Sequence, residues 1–387
     1  MYESILKRIK PTKEEEEKIL KIVEEFIKKL NLKEAEIKIG GSFAKGTWLK
    51  NNHDIDLFAL FDDDKNCSDK LEKAIKISFK KYQRIHGSRD YFSLEYKKIN
   101  FEIVPVFNIE KSQNARNITD VSPLHVEYIK NNTNEKIRDE IRLTKQFLKV
   151  NECYGAETYI GGVSGYLTEL IIIKYGTFEN LVKNVAKWKE LHEIDIEENG
   201  NFKSEQKFPL IVIDPVQPDR NAAAGLRKEK FDELITICKK YNKKLSSFTS
   251  KKLNLRKYNL IINVEPLNGI NDVVGTKIFK IYEYLKEKLN EFEVKESGWN
   301  WIKKEKAVLY FKLKTKKLNK KYIHYGPPIN IIKGVERFKQ KYENTKIQND
   351  RIYTELEREF ITAESLVKHL IRDNYIQPRC KNIKVIK

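Results

Sequence analysis

Apolar positions in the first hundred residues follow helical spacing in some places and strand alternation in others. Apolar residues between positions 19 and 30 recur every three or four residues, and Thr12 followed by Glu15 is a capping-box pattern. Residues 12–31 are therefore predicted to form an amphipathic helix, and a second helix is predicted to begin at Ser68. Alternation predicts four strands, at residues 36–39, 54–58, 91–96 and 100–107. Residues 1–123 are expected to form a mixed α/β layer.

The rest of the chain changes pattern twice. Helical spacing dominates residues 124–250, with helices predicted at residues 135–150, 162–175 and 228–241. From residue 251 the pattern predicts a small α+β layer. Its strands are predicted at residues 259–265, 293–302, 306–313 and 351–360, and its helices at residues 272–290 and 365–371. The predicted fold class is α+β, with domains at residues 1–123, 124–250 and 251–387.

Charge is distributed unevenly between these regions. The chain of 387 residues has a formal net charge of +19, of which residues 251–387 carry +15 and residues 1–250 carry +4. A C-terminal region this basic predicts a polyanionic partner, because each phosphate that it neutralises releases counterions. Nucleic acid and an anionic membrane surface both fit this charge, and a lysine-rich surface kept for solubility is the alternative.

Cysteine usage and hydropathy indicate the redox compartment of the protein and whether it crosses a membrane. The four cysteines are scattered without a C-x-x-C spacing, which argues against a disulfide framework or a structural zinc site and predicts a reducing, cytoplasmic location. The longest apolar stretch, Leu170–Ile173, is far too short to cross a bilayer. We expect no membrane span.

The residues after the first predicted strand are suited to binding an anion. Gly40 and Gly41 end that strand and allow backbone N–H groups to approach a ligand closely. A helix opening near Ser42 would add its N-terminal amides, and Ser42 and Lys45 supply a hydroxyl and a cation for a triphosphate. A glycine–serine turn is often only a loop, so this segment alone leaves both interpretations open.

Two aspartates on the second predicted strand favour a metal-assisted phosphate site over a simple loop. Side chains two residues apart on a strand share a face, so Asp54 and Asp56 are expected to project together. Two such carboxylates repel each other unless a cation lies between them, and Mg²⁺ prefers oxygen ligands and substrate phosphates. A solvated edge strand is the alternative, but the many apolar residues of this strand indicate a buried, central one.

A third carboxylate is needed if two metal ions assist phosphoryl transfer. Glu102 is the candidate, because it is a charged residue inside an otherwise apolar strand. Glu95 is the rival, although Lys97 and Lys98 place it near a turn, where a surface role is expected.

These segments resemble those of the archaeal-type (class I) CCA-adding enzymes, tRNA nucleotidyltransferases of the DNA polymerase β-like superfamily. The resemblance begins with Gly41–Leu49, the Asp-x-Asp strand and a carboxylate three residues before Pro105. The glycine–serine and Asp-x-Asp part is shared by the whole superfamily. Further segments stand in the family's order, at residues 122–125, 142–149, 154–157, 162–170, 213–216, 220–223 and 326–328. The resemblance covers essentially the whole chain.

The resemblance implies a division of labour among the domains. It implies a nucleotidyltransferase head at residues 1–123, a helical domain that completes the nucleotide pocket, and a ferredoxin- or RRM-like tail. The expected reaction adds C, C and A to the 3′ end of tRNA from CTP and ATP, without a nucleic-acid template and with two Mg²⁺ ions. The tail is expected to clamp the acceptor stem and T arm, with Tyr322, His324 and Tyr325 near its lysine run.

The resemblance also implies roles for individual residues. The residues expected to bind metal and to be catalytic are Asp54, Asp56 and Glu102. The residues expected to bind the nucleotide are Gly41, Ser42, Lys45, His125, Lys145, Tyr154 and Arg220. Within that second set, Arg220 would reach the incoming base and the others would hold the triphosphate.

One position departs from the family, and several alternatives stay open. The family usually has Asp where this chain has Glu102, which is one methylene longer. The alternatives are another polymerase β-like transferase (a relative of poly(A) polymerase or oligoadenylate synthetase), a catalytically inactive RNA-binding module, and a membrane-surface binder. The sequence leaves the oligomeric state open, with a homodimer as one outcome.

Overall fold

A computed structural model describes residues 1–50, 54–63, 65–198, 200, 202–249, 253–302 and 305–387. The chain divides into two compact units, residues 1–251 and 252–387. The predicted boundary between residues 250 and 251 lies outside the described residues. The division of the first unit at residue 123 stays a prediction.

The first unit begins with a mixed sheet and its helices. Its elements up to residue 107 are α1 (Tyr2–Ile9), α2 (Lys13–Leu30), β1 (Glu36–Ile39), α3 (Gly41–Ala44), β2 (Asp54–Phe61), α4 (Cys67–Ser78), β3 (Gln83–Ile85), β4 (Tyr91–Tyr96) and β5 (Ile99–Phe107). The strand order is β1-β2-β5-β4-β3. Strands β2 and β5 are parallel, and the other neighbours are antiparallel. The four predicted strands and two predicted helices are confirmed, and α1 and β3 were not predicted.

Strand β2 lies inside this sheet, as its apolar residues predicted. Ile55 and Leu57 point to the face covered by α2 and α4, and both are buried there. Thr12 caps α2 through the predicted box, accepting a hydrogen bond from Glu15 N. The opposite face of β2 begins with Asp54 and Asp56 and becomes apolar from Phe58 onward.

The rest of the first unit is mostly helical. Its elements are α5 (Ser122–Asn131), α6 (Glu135–Val150), α7 (Gly165–Tyr175), α8 (Phe178–Val185), β6 (His192–Ile194), β7 (Leu210–Val212) and α9 (Lys228–Lys239). Helix α7 begins three residues later than predicted because Ser164 is its N-cap and accepts a hydrogen bond from Leu167 N. A continuous apolar core includes residues of α1 and of the four helices α6, α7, α8 and α9.

The second unit has an α+β architecture. Its elements are β8 (Leu260–Glu265), α10 (Asn271–Lys288), β9 (Val294–Asn300), β10 (Ala307–Leu313), β11 (Lys321–Pro328), α11 (Ile332–Lys341), β12 (Lys346–Gln348), β13 (Arg351–Glu357), α12 (Ala363–Leu370) and β14 (Asn382–Val385).

Four strands of this unit form an antiparallel sheet in the order β14-β8-β10-β9. With α10 and α12 they give the chain order β-α-β-β-α-β, which is that of a ferredoxin-like fold. A second sheet, β11-β13-β12, and helix α11 are inserted between β10 and α12. The α+β fold class is confirmed, and the inserted strand β11 and helix α11 were not predicted.

Two expectations from composition can be compared with the structure. All four cysteines are buried and unpaired with one another. Among the described residues, no helix combines the length and the apolar character that crossing a membrane requires.

Candidate active site

Two neighbouring parallel strands bring three carboxylates to one face of the first sheet. Asp54 pairs in register with Asn100, and Asp56 pairs with Glu102. Register partners on parallel strands project to the same side, so Asp54, Asp56 and Glu102 share a face, which we call the acidic face. Asn100 Nδ2 donates to Asp54 Oδ1 over 3.4 Å.

The glycine turn lies directly against this face. Gly40 N donates a hydrogen bond of 2.7 Å to the backbone oxygen of Asp56. Gly41 has a φ of +59°, and a Cβ at this position would lie 1.7 Å from Asp56 Oδ2. Only glycine fits where backbone and carboxylate approach so closely. Helix α3, which includes Ser42, is a single turn of four residues.

The charges of the acidic face are poorly compensated. Burial raises the pKa of Asp56 to about 6, with the charge of Asp54 adding to the effect and that of Lys45 opposing it. A divalent cation would stabilise the desolvated carboxylate of Asp56 and offset the charge of Asp54, so the two aspartates fit a metal. Among the described residues, no three His, Cys, Asp or Glu side chains converge into a ready-made metal centre. Glu102 therefore shares the face without completing a common ligand shell.

Within electrostatic range of Asp56, helices α6 and α7 and the turn after α3 supply a buried ionic cluster. Glu169 of α7 accepts from Lys45 Nζ at 2.6 Å, from Lys145 Nζ at 2.9 Å and from Thr47 Oγ1 at 2.5 Å. Lys145 Nζ also donates to Thr47, at 2.9 Å to Oγ1 and 3.2 Å to the backbone oxygen. Both predicted triphosphate lysines are thus brought together, and the donors of Lys145 point at protein groups.

Tyr154 lies beside the same cluster. Burial raises the pKa of its hydroxyl, and the charges of Glu169, Glu157 and Asp56 raise it further. Lys149 Nζ lies 5.2 Å from the centre of its ring. The hydroxyl of Tyr154 therefore lies within electrostatic range of both Glu169 and Asp56.

Asp214, a second buried carboxylate, contacts two further residues that were predicted to bind the nucleotide, His125 and Arg220. Asp214 Oδ2 lies 2.5 Å from Arg220 NH1 and 3.1 Å from His125 Nε2. Asp214 Oδ1 accepts from the Tyr166 hydroxyl at 2.9 Å, and the His125 ring stacks on Tyr166 with centroids 4.3 Å apart. Burial would raise the pKa of Asp214, but His125, Arg220 and the Val216 N–H hold it at about 2.

One cation–π contact connects these clusters. Lys45 Nζ lies 5.7 Å from the centre of the Tyr166 ring, so a chain of contacts runs from Arg220 through Asp214 and Tyr166 to Glu169. We call the residues Lys145, Tyr166, Glu169 and Asp214 the helical wall. Arg142, which donates to Trp48 O at 3.3 Å, fastens the turn after α3 to helix α6.

Sequence reasoning missed the buried anions of the helical wall. Glu169 and Asp214 stood inside segments that resembled the family, but neither received a role. Tyr166 received no role either, although its hydroxyl hydrogen-bonds Asp214. An acidic residue within the apolar run around Leu170 was the available signal, because an ionised side chain is rarely buried without partners.

Family models match successive parts of the chain. Residues 17–146 match a nucleotidyltransferase domain, residues 139–249 the second domain of tRNA nucleotidyltransferases, and residues 259–376 the C-terminal domain of CCA-adding enzymes.

Solved structures resemble the fold at low sequence identity. A cytoplasmic RNA terminal U-transferase matches with a TM-score of 0.53 at 13% identity, over 65% of this chain and 98% of that chain. The Cid1 poly(U) polymerase bound to MgGTP matches with a TM-score of 0.52 at 14% identity, over the same shares. Both likenesses concern the fold.

Curated relatives match across almost the whole chain. A CCA-adding enzyme of Methanosarcina barkeri is 31% identical over 402 residues, which cover 94% of this chain and 87% of the relative. One of Methanocaldococcus jannaschii is 30% identical over 432 residues, covering 100% and 95%, and one of Nanoarchaeum equitans is 32% identical over 379 residues, covering 90% and 91%. The chain therefore belongs to the family of CCA-adding enzymes, the archaeal-type tRNA nucleotidyltransferases.

Proposed function

We propose that CCA addition by this chain takes place between the acidic face and the helical wall. The observation that carries the proposal is the contact of the glycine turn with Asp56, which brings backbone, carboxylates and Lys45 to one point. In the proposed reaction the tRNA 3′-hydroxyl attacks the α-phosphate of CTP or ATP. A phosphodiester bond forms, the bond between the α- and β-phosphates breaks, and pyrophosphate leaves.

Asp54 and Asp56 are the proposed ligands for divalent metal, with Glu102 as a third carboxylate nearby. Mg²⁺ is usually held by one or two carboxylates together with substrate phosphates, so a complete protein cage is not required. When bound, the metal would polarise the phosphate and lower the pKa of the attacking hydroxyl. Two ions are proposed because three carboxylates share the face.

The helical wall is proposed to receive the nucleotide. Lys45 and Lys145 contribute positive charge to the proposed triphosphate site, Lys145 through its electrostatic field because Thr47 and Glu169 occupy its donors. Ser42 and Tyr154 are the proposed hydroxyl donors. Arg220 is proposed to reach the base, with its guanidinium oriented by Asp214 at 2.5 Å. His125, stacked on Tyr166, lies at the same end of the wall and is proposed to complete the nucleotide pocket.

The inserted sheet of the second unit is proposed to contact tRNA. Its side away from α11 carries Lys321, Tyr325, Lys346 and Arg351 together with the carboxylates Glu355 and Glu357, and Tyr325 is 44% exposed. Exposed tyrosine and cations suit stacking on RNA and phosphate contact. His324, in contrast, packs against Phe338 and Tyr342 on the α11 side, so its ring is less exposed for stacking on RNA.

Point variants test this tRNA contact better than truncation, because removal of residues 300–387 would take β10 and β14 out of the four-stranded sheet. Tyr325→Ala combined with Lys346→Gln should raise the KM for tRNA by about 10-fold and flatten its salt dependence by about one phosphate contact. Lys280→Gln, which changes an exposed lysine of α10, is the matched control. An unchanged tRNA KM would remove the inserted sheet from the proposal.

Binding to the acceptor stem and T arm, a cytoplasmic location and a homodimer stay predictions. Four unpaired, buried cysteines support a reducing compartment.

A direct assay offers tRNA lacking its terminal CCA together with labelled CTP and ATP. Wild type should add three residues and stop, whereas Asp56→Asn should lose about 10³-fold in rate while still binding tRNA. Asp232→Asn, an exposed aspartate of α9, is the control. Full activity in Asp56→Asn would contradict the proposed site, and open-ended addition of A from ATP alone would favour a poly(A) polymerase.

A further inference from the structure

Glu169 is completely buried and is surrounded by cations and a hydroxyl. Its side chain has no exposed surface, and Lys145 and Thr47 are 2% and 0% exposed. Burial would raise the pKa of this carboxyl, yet the charges of Lys145 and Lys45 hold it at about 2. Glu169 is therefore a buried carboxylate whose ionised form is stabilised by two lysines and a hydroxyl.

The cluster does not neutralise itself. Lys45 and Lys145 contribute two positive charges and Glu169 one negative charge, so the three side chains carry one excess positive charge. Burying an excess charge is costly unless another group compensates for it. Asp56 is close enough for Lys45 to oppose the rise of its pKa, but that carboxylate is itself a proposed metal ligand. The excess charge suits an anionic ligand.

The geometry of the cluster fixes the two lysines relative to each other. Oε2 of Glu169 accepts a hydrogen bond from Lys45, and Oε1 accepts hydrogen bonds from both Lys145 and Thr47. One carboxylate therefore bridges the three groups. Lys45 comes from the turn after α3, Lys145 from α6 and Glu169 from α7. Without Glu169, two buried ammonium groups would face each other and repel.

We propose that Glu169 is a positioning residue that holds Lys45 and Lys145 together as a cationic cradle for the triphosphate of the incoming nucleotide. This inference rests on the proposed function, because it assumes that these lysines meet the triphosphate. The effect should be the same for CTP and ATP, since both carry the same triphosphate. It should not extend to tRNA affinity.

The test measures binding of inorganic tripolyphosphate with Mg²⁺ by calorimetry, together with KM and kcat for CTP and for ATP. Glu169→Gln should weaken tripolyphosphate binding by roughly 10-fold or more and raise both KM values by the same factor, since a charge-assisted contact is lost. The affinity for tRNA should stay at the wild-type value. Glu140→Gln is the matched control, because Glu140 is a half-buried carboxylate of α6 that accepts a hydrogen bond from Phe178 N at 2.8 Å.

Glu169→Asp provides a second variant in case Glu169→Gln does not fold. It keeps the charge but is one methylene too short to span the three groups, so a loss of about 3- to 10-fold is expected. Wild-type tripolyphosphate affinity in a folded Glu169→Gln or Glu169→Asp would overturn the inference. So would an equal loss in Glu140→Gln, which would indicate a general packing effect.

Lys45→Met separates failure of this inference from failure of the proposed function. If Lys45→Met weakens tripolyphosphate binding and the Glu169 variants do not, only the positioning role is wrong. If Lys45→Met binds tripolyphosphate as wild type does, the proposed triphosphate site itself is wrong and the inference falls with it.

Discussion

The carboxylates of the acidic face and those of the helical wall belong to the same unit but have opposite electrostatic surroundings. Burial and Asp54 raise the pKa of Asp56 to about 6, whereas cationic partners hold the pKa of Glu169 and Asp214 at about 2. The helical wall satisfies its anions from within the protein. At the acidic face, the charge of Lys45 compensates Asp56 only in part, and we interpret that difference as the mark of a site that binds a cation.

The comparison also separates two kinds of functional residue. Groups of the acidic face are proposed to act on metal and reacting atoms, so their removal should stop chemistry. Anions of the helical wall act on cations that touch the nucleotide, so their removal should weaken binding. Perturbed pKa values occur in both places, and the direction of the shift tells the two roles apart.

A large effect, second to that of Asp56→Asn, is expected at Glu102, whose membership of the acidic face rests on register rather than on a shared ligand shell. Glu102→Gln should lower kcat for CCA addition by roughly 100-fold, since it removes a charge that metal binding needs. Glu102→Asp, which restores the usual family residue, should stay within about 10-fold of wild type. Single-turnover rates with saturating CTP would measure both. Equal rates in Glu102→Gln and wild type would exclude Glu102 from the reaction.

A smaller effect is expected from the glycine turn. A Cβ on Gly41 would lie 1.7 Å from Asp56 Oδ2 in a backbone of φ +59°, so Gly41→Ala must move either the turn or the carboxylate. We expect a loss of about 10-fold or more in kcat and about 1–3 kcal/mol in unfolding free energy. Gly225→Ala, whose Cβ would meet nothing within 4 Å, is the control. A fully active Gly41→Ala would show that the close approach is not required.

The smallest effect is a pH dependence that belongs to the helical wall. The pKa of Asp214 is lowered to about 2, so its ion pairs stabilise the fold above its ordinary pKa of 3.8 and are lost as pH falls through about 2. Asp214 should contribute about 2 kcal/mol of unfolding free energy at neutral pH. Urea unfolding of wild type and Asp214→Asn between pH 6 and 2 would measure it. The two curves should converge in acid, and a constant gap would contradict the assignment.

Much of the sheet could be predicted because its signals are local. The alternation in residues 54–58 and the spacing of Asp54 and Asp56 depend only on strand geometry, and the box at Thr12 depends on three residues. The shared face of Asp56 and Glu102 needed the pairing of β2 with β5, which the family resemblance implied and local pattern did not.

The helical wall could not be predicted in the same way. Glu169 joins residues more than 120 positions earlier in the chain, and no local pattern indicates such a contact. Helix α5 begins with Ser122 and Pro123, which suit a helix start, but its apolar positions form no clear stripe. Helix α11 buries only Phe338, so its sequence resembles a solvated, basic segment.

The most direct test of the central claim, that Lys45 compensates the acidic face only in part and a divalent cation is required, is the Tm of wild type and Asp56→Asn, each measured with EDTA and with Mg²⁺. In EDTA, Asp56→Asn should melt roughly 2–6 °C above wild type, because the substitution removes a charge whose desolvation Lys45 offsets only in part. Mg²⁺ should raise the Tm of wild type and leave the variant nearly unchanged. A variant that melts below wild type in EDTA, and that gains as much as wild type from Mg²⁺, would contradict the account.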